Sequence, residues 1–388
     1  MIYLDNAATS YPKPRVVLES MTKYLEEYGA NPGRGAYGMA IAASRMVFDT
    51  REELARFFNV ADSRNIIFTL NGTEAINLGL KGFLKPGDHV VTTNVEHNSV
   101  TRPLRVLAGD GVSTTKVNCS GEGSLNPDDI KKALQKNTKL IVLTHASNVI
   151  GTILPLKEVG KIAGEHGIAF MVDAAQTAGV VPIDVKAQNI GLLAFPGHKA
   201  LMGPPGTGGL YIDPDLELKE LIHGGTGEDS RAVFQPLSRP ERYESGTLNA
   251  VGIAGLGAAL RFIREIHTEN IWKKEKKLVA RLIRKLKEID SVEVYGTADE
   301  DKRVPLVSFN VAGKTGEEVC YLLDKEFGIA ARAGLHCAPA AHEAMGTLEK
   351  GAVRFSLGHY NTAPEIDEAL EAVTKISQMS LKQSSFEA

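Results

Sequence analysis

The chain has 388 residues, of which 44 are basic and 47 acidic, giving a formal charge of −3 at neutral pH with 23 % charged residues. That length and balance fit one large and one smaller domain and exclude a disordered chain; with no long charge blocks, a nucleic-acid footprint and a polybasic membrane patch are excluded as well, and a small ligand is expected. The opening "MIYLDNAATSYPKP" carries no charged leader ahead of an apolar core, and no later apolar run approaches a membrane span, so the expectation is a cytoplasmic protein.

In chain order, "NIIFTL", "DHVVTTN", "KLIVLTHAS", "IAFMVDAA" and "IGLLAFP" read as buried strands. They alternate with helical patterns such as "NPDDIKKALQ". Such alternation predicts a mainly parallel sheet covered by helices, an α/β domain over residues 15–250. The long stretch "HGGTGEDSRAVFQPLSRPERYESGT" reads as a functional loop. A charged helix around Trp272–Ile289 precedes a change of pattern: strand "PLVSFNV", helix "GEEVCYLLDKEF", a strand near "GAVRFSLG" and a last helix from "APEIDEALEAV". This predicts a small α+β domain formed by residues 1–14 and 251–388, ending in a fraying polar tail, "SLKQSSFEA".

In open α/β sheets ligands lie beyond the carboxyl ends of the strands, and the polar residues of this chain concentrate there. After the first run come Gly72 and Thr73 at a helix start, where free N–H groups favour a phosphate, although an ordinary N-cap makes the same pattern. His97 follows the second run, Asn148 the third, and Asp173 ends the fourth. A carboxylate so placed needs a cationic or donor partner. The fifth run enters "PGHK" and delivers Lys199 to the same edge. Poor hydration there disfavours its ammonium and makes the amine fit to bond an aldehyde; a helix cap or surface pair is the plainer alternative. A phosphate seat, a flat ring, an acid and a lysine are together the parts that bind pyridoxal phosphate.

Cys119, Cys320 and Cys337 form no CxxC pair, so neither a disulfide framework nor a metal site is expected. Cys320 falls at helical spacing among apolar residues and reads as core, and Cys119 lies in a turn with no basic neighbour beyond Lys116. Cys337 lies in the loop "ARAGLHCAPA", where Arg332 and His336 favour a thiolate; a buried small hydrophobe is the alternative. Arg354 offers a two-pronged donor for a substrate carboxylate, or an ordinary salt bridge.

From "YLDNAATS" to "VRFSLGHYNT" the chain resembles the class V aminotransferase superfamily of pyridoxal-phosphate enzymes and, within it, the cysteine desulfurase and selenocysteine lyase family. The resemblance implies fold type I and an internal bond between Lys199 and the cofactor. It further implies that Asp173 pairs with the pyridine nitrogen, Gln176 faces the phenolic oxygen, and His97 stacks on the ring and relays protons. Gly72, Thr73 and His198 would hold the phosphate, and Asn148, Arg354 and Arg332 the substrate L-cysteine. A shared active site in a homodimer is implied, with Thr247 of "ESGTLN" reaching the neighbouring subunit's phosphate. "AGLHCA" matches the segment with the persulfide-forming cysteine, and the 16 residues between Cys337 and Arg354 resemble the subgroup with a short cysteine loop. Pro196 departs from relatives with Ser or Thr at that position, removing one phosphate donor. The implied activity is conversion of cysteine to alanine with sulfur passing to Cys337 and on to an acceptor protein. A selenocysteine or other carbon–sulfur lyase, a transaminase and a non-catalytic scaffold remain alternatives.

Overall fold

Runs of Val, Ile, Leu and Phe too short for helices pair edge to edge, and helices cover both faces of the sheet they make. The computed structural model describes residues 1–379 except 34, 228–230 and 232. The tail expected to fray, and part of the long loop, therefore lie outside the described residues. In chain order the first half contains β1 (Ile2–Tyr3), α1 (Arg15–Glu27), α2 (Gly38–Phe57), β2 (Ile66–Thr69), α3 (Gly72–Phe83), β3 (His89–Thr93), α4 (Asn98–Gly109), β4 (Ser113–Val117), α5 (Pro127–Ala133), β5 (Thr138–Thr144), α6 (Leu156–Glu165), β6 (Ala169–Asp173), β7 (Leu192–Pro196) and β8 (Gly208–Ile212). There follow α7 (Ala250–Ile266), α8 (Thr268–Leu286), β9 (Val292–Tyr295), β10 (Leu306–Val311), α9 (Gly316–Phe327), β11 (Ile329–Ala330), β12 (Arg332–Gly334), α10 (Pro339–Met345), β13 (Ala352–Ser356) and α11 (Ala363–Gln378).

The large sheet has the order β2-β8-β7-β6-β5-β3-β4. Strands β4, β3, β5, β6 and β7 are parallel, with β4 at the edge, and β8 runs antiparallel to both β7 and β2. The parallel strands end on one edge, so the residues that follow β3, β5, β6 and β7 converge there. A four-stranded antiparallel sheet, β12-β13-β10-β9, forms the second layer structure, and β1 pairs with β11 beside it. Ile2 and Leu4 lie in its core with Phe309, Phe355 and the apolar faces of α8 and α11.

One helix departs from the division read in the sequence. The boundary after residue 250 puts α7 with the small unit, yet Ile253, Leu256, Leu260 and Ile263 pack in the core of the large sheet, with α7 against α1 and α2. Its small residues explain the placement, because a side chain at Gly257 would meet the Thr50 hydroxyl of α2 at 2.3 Å. Close approach, invisible to composition, assigns the helix.

A buried ion pair joins α2 to the loop before α7: Arg51 donates two hydrogen bonds to Glu244, at 2.6 and 2.9 Å, and Glu244 also accepts from the Phe68 N–H. Glu244→Ala strands Arg51 without its counter-charge and is expected to destabilise the protein by about 3–5 kcal/mol. Urea unfolding of the two proteins measures this, and a loss below about 1 kcal/mol would contradict it.

Cys320, on α9, packs against the second core, and burial pushes its thiol up to about 12. Cys320→Ala is expected to cost stability, about 1 kcal/mol, and no turnover. A selective loss of activity in the well-folded variant would overturn that assignment. Cys119 is buried too, its thiol likewise pushed up to about 12 by burial.

Candidate active site

β7 stops at Pro196, and Gly197 turns the chain: a side chain there would collide with the Thr207 hydroxyl at 2.2 Å. The turn is closed by Gly203 N–H donating to Gly197 O and Met202 N–H to Lys199 O, both at 2.8 Å. Lys199 is thereby fixed beside Asp173, the last residue of β6, the strand that pairs with β7. Burial lowers the Lys199 amine to about 8; the Asp173 charge opposes that, and Arg354 and Arg332 add to it. Burial likewise raises Asp173, against the Ala175 N–H that its Oδ1 accepts at 2.9 Å and the charge of Lys199. An amine of lowered basicity and a buried acid thus share one sheet edge.

His97 caps α4. Its Nδ1 accepts the Ser99 N–H at 3.0 Å, so the neutral ring carries its proton on Nε2. Burial first, then the charges of Lys199, Arg332, Arg102 and Arg354, hold His97 down to about 4. Ser99 Oγ lies 2.9 Å from His97 Nδ1 and 2.8 Å from Thr73 Oγ1, linking the starts of α3 and α4. Asn71 caps α3 through the Glu74 N–H, so the plain N-cap and the hydroxyl-bearing helix start coexist. Gly72 lies against Pro196: an added Cβ would sit 3.4 Å from its ring.

The N-terminal segment closes the other side. His198 O accepts from Thr9 Oγ1, Ser10 N–H and Lys13 Nζ, while His198 Nδ1 is buried with no hydrogen-bond partner. Burial lowers His198 to about 4 and Lys13 to about 8. Gln176 donates its Nε2 to Ala7 O at 3.2 Å. Two participants escaped sequence reasoning. Glu96, fully buried before His97, accepts from Thr93 Oγ1 and the Thr144 N–H and is raised to about 8 by burial. Asp5 receives Arg354. Nothing in the sequence around either residue marks Asp5 for a partner 349 positions away or Glu96 for one 48 positions away.

Arg354, 1 % exposed on β13, donates Nη2 to Asp5 at 2.7 Å and Nη1 to Asn148 O at 2.9 Å, and its Nε is buried without a partner. Arg332 faces it directly across the β12–β13 pair. Arg332 is half-buried, and its Nη2 lies 3.9 Å from the sulfur of the exposed Cys337. The role read for His336 is corrected here. That ring is 3 % exposed and burial lowers it to about 3, so it is neutral and adds no positive charge beside the sulfur. Cys337 O accepts the Asn98 N–H at 2.8 Å, and Asn148 donates Nδ2 to His336 O at 2.7 Å. The thiol loop is therefore tied to the residues after β3 and β5.

The structure thus gathers Lys199, Asp173, His97, Gln176, His198, Asn148, Arg332, Arg354 and Cys337 around one edge, with Gly72 and Thr73 at its rim. Thr247 is not among them. It lines a separate cavity with Phe68, Gly206, Glu244 and Asn249.

Residues 2–369 match the family model described as aminotransferase class-V. A probable cysteine desulfurase of Methanothermobacter thermautotrophicus is 39 % identical over 97 % of this chain and 95 % of its own. The cysteine desulfurase IscS of Clostridium botulinum is 35 % identical over 97 % and 94 %. Among solved structures, the apo cysteine desulfurase of Thermococcus onnurineus NA1 superposes with a TM-score of 0.92 at 36 % identity, covering 97 % of this chain and 94 % of that one. Escherichia coli cysteine desulfurase CsdA gives 0.86 at 29 %, covering 96 % and 94 %. With the lysine and acid on one sheet edge and the thiol loop tied to the residues after β3 and β5, the chain belongs to the class V aminotransferase family and, within it, to the cysteine desulfurases.

Proposed function

We propose that this protein binds pyridoxal phosphate at Lys199 and moves sulfur from free L-cysteine to Cys337, releasing L-alanine. The observation that carries this reading is the exposed Cys337 sulfur beside Arg332, whose charge also reaches His97 and Lys199. The residues present suit the cofactor. The unpartnered His198 Nδ1 is a buried polar atom awaiting a ligand, and the Gly72 cradle leaves backbone room at the α3 N-terminus. Pro196 supplies no hydroxyl, and the Ser99 hydroxyl, 2.8 Å from Thr73 Oγ1, is the donor proposed to replace it.

When bound, pyridoxal phosphate supplies an electron sink at the substrate α-carbon. Lys199 Nζ holds the aldehyde and, once released, takes the α-proton. Asp173 keeps a proton at the pyridine nitrogen by offering it a buried counter-charge, and Gln176 orients the phenolic oxygen. The neutral His97 presents a flat face and one Nε2–H. Arg354 directs its free Nε–H at the substrate carboxylate, with Asn148 and Arg332 completing the seat. Cys337 Sγ then forms a bond to the substrate sulfur, and the carbon–sulfur bond breaks with its electron pair retained on carbon. Protonation of that carbon and return of the proton held by Lys199 to the α-carbon give alanine, and the Cys337 sulfur, oxidised by the loss of the two electrons that carbon keeps, becomes a persulfide.

The amine reacts only unprotonated. At a value of about 8 rather than 10.5, about a tenth of the molecules carry neutral Lys199 at pH 7. Cofactor uptake by the apoprotein is therefore expected to quicken with rising pH and level off above about 8, read by stopped-flow absorbance. A rate flat from pH 6 to 9 would contradict this.

α1 and α2 leave Leu18, Leu25, Ile41 and Phe48 exposed, an apolar surface suited to a second copy in a homodimer. In that assembly Thr247, absent from its own chain's site, would reach the second copy's phosphate. The exposed thiol leaves room for a sulfur-acceptor protein.

Side-by-side assays with L-cysteine, L-selenocysteine and L-cysteine sulfinate under a thiol reductant test the reading. Cysteine is expected to yield alanine and sulfide in equal amounts. Pyruvate and ammonia in place of alanine would move the protein to the eliminating lyases.

A further inference from the structure

Two buried histidines beside the thiol have no part in the chemistry above. His336 is 3 % exposed, and His342, on α10, is fully buried. Their rings stack with centroids 5.7 Å apart and planes 14° from parallel. His336 Nε2 lies 3.3 Å from Arg332 O, His336 Nδ1 is 3.5 Å from His342 Nε2, and His342 Nδ1 is 2.8 Å from Thr347 Oγ1.

A carbonyl cannot donate, which fixes the direction of the whole chain. His336 Nε2–H donates to Arg332 O, so the neutral ring accepts at Nδ1. His342 must then donate from Nε2 and accept at Nδ1 from the Thr347 hydroxyl. Each ring gives one hydrogen and takes one, and the relay is complete only when both are neutral. Burial keeps them so, at about 3 and about 4.

His336 and Cys337 are also consecutive residues in the left-handed region, with φ of 49° and 58°. Non-glycine residues adopt it at a cost, and two in succession persist only where the surroundings hold them. Asn148 and Asn98 hold the two carbonyls. The histidine relay anchors the His336 ring to Arg332 O and to His342, so the backbone that carries His336 and Cys337 cannot turn without breaking those contacts.

We propose that the relay Thr347–His342–His336–Arg332 is a positioning device that aims the Cys337 sulfur into the reaction pocket. Its proposed purpose rests on Cys337 being the sulfur-accepting thiol, whereas its mechanical role does not. His342→Leu keeps bulk and removes both polar ring atoms; His342→Gln keeps a donor for His336. In the holoenzyme, the leucine variant is expected to slow persulfide formation and Cys337 alkylation by iodoacetamide about 10–100-fold at unchanged KM, with the glutamine variant recovering most of the loss. Thr347→Val, which deletes only the end donor, is expected to lower both rates about 3–10-fold and serves if the leucine variant does not fold. Unchanged alkylation in a folded leucine or valine variant, or equal losses in leucine and glutamine, would overturn the proposal. Should alkylation respond while Cys337→Ala retains sulfur transfer, the relay stands and the assignment of the thiol falls.

Discussion

Replacing Cys337 by alanine is expected to lower alanine and sulfide formation from cysteine by at least ~10³-fold while leaving the visible absorbance of the bound cofactor unchanged. The structure separates the two functions. Cys337 lies on the loop between β12 and α10, carried by the small unit, whereas Lys199, Asp173 and His97 stand on the large sheet. Removing the sulfur atom takes away one contact, the Arg332 guanidinium at 3.9 Å, and leaves the backbone bond from Asn98 intact. Steady-state alanine release and the absorbance spectrum, measured on one preparation, check this. Retained sulfide release would mean that the carbon–sulfur bond breaks by elimination, with no sulfur-accepting thiol.

Lys199→Ala is expected to abolish both the visible band and turnover, by ~10⁴-fold or more, because in the proposed reading one amine binds the aldehyde and later carries the α-proton. Burial makes the residue suited to both tasks by drawing the ammonium down to about 8. Arginine at 199 would keep a cation beside Asp173 without a nucleophile, so it should preserve folding and still lose the band. A variant at 199 that retains both the band and activity would show that another amine holds the cofactor.

Arg354→Lys is expected to raise KM for cysteine about 10–100-fold more than it lowers kcat. A single ammonium cannot replace a guanidinium that bonds Asp5 and Asn148 O and still keeps Nε unpartnered for the substrate carboxylate proposed for it. An unchanged KM would mean that Arg354 serves only the buried pair with Asp5.

The sheet was legible because buried strands write themselves as continuous apolar runs: "IAFMVD" and "LLAFP" became β6 and β7 with Asp173 and the turn to Lys199 at their ends. Small residues in α7 carried no such signal, since a run such as "GIAGLGAAL" suits either unit until a neighbour's Thr50 defines how closely a helix can approach. The site divides the same way. Residues that end or follow strands, Asp173 in the first case and His97, Asn148 and Lys199 in the second, were readable from their place in the alternation. Asp5 was not, because its partner Arg354 lies 349 positions away, nor was Glu96, whose burial depends on Thr93 and Thr144 folding over it. For His336 the sequence supplied proximity to the thiol but not depth, and depth decides whether an imidazole is a charge or a neutral hydrogen-bonding ring.

The most direct test is the mass of the peptide that carries Cys337 after brief exposure of the holoenzyme to cysteine without reductant. One added sulfur atom is expected there in the native protein, removable by dithiothreitol, and none in Lys199→Ala. Alanine formed with no added sulfur at Cys337, or with the sulfur found on Cys119 or Cys320, would contradict the account.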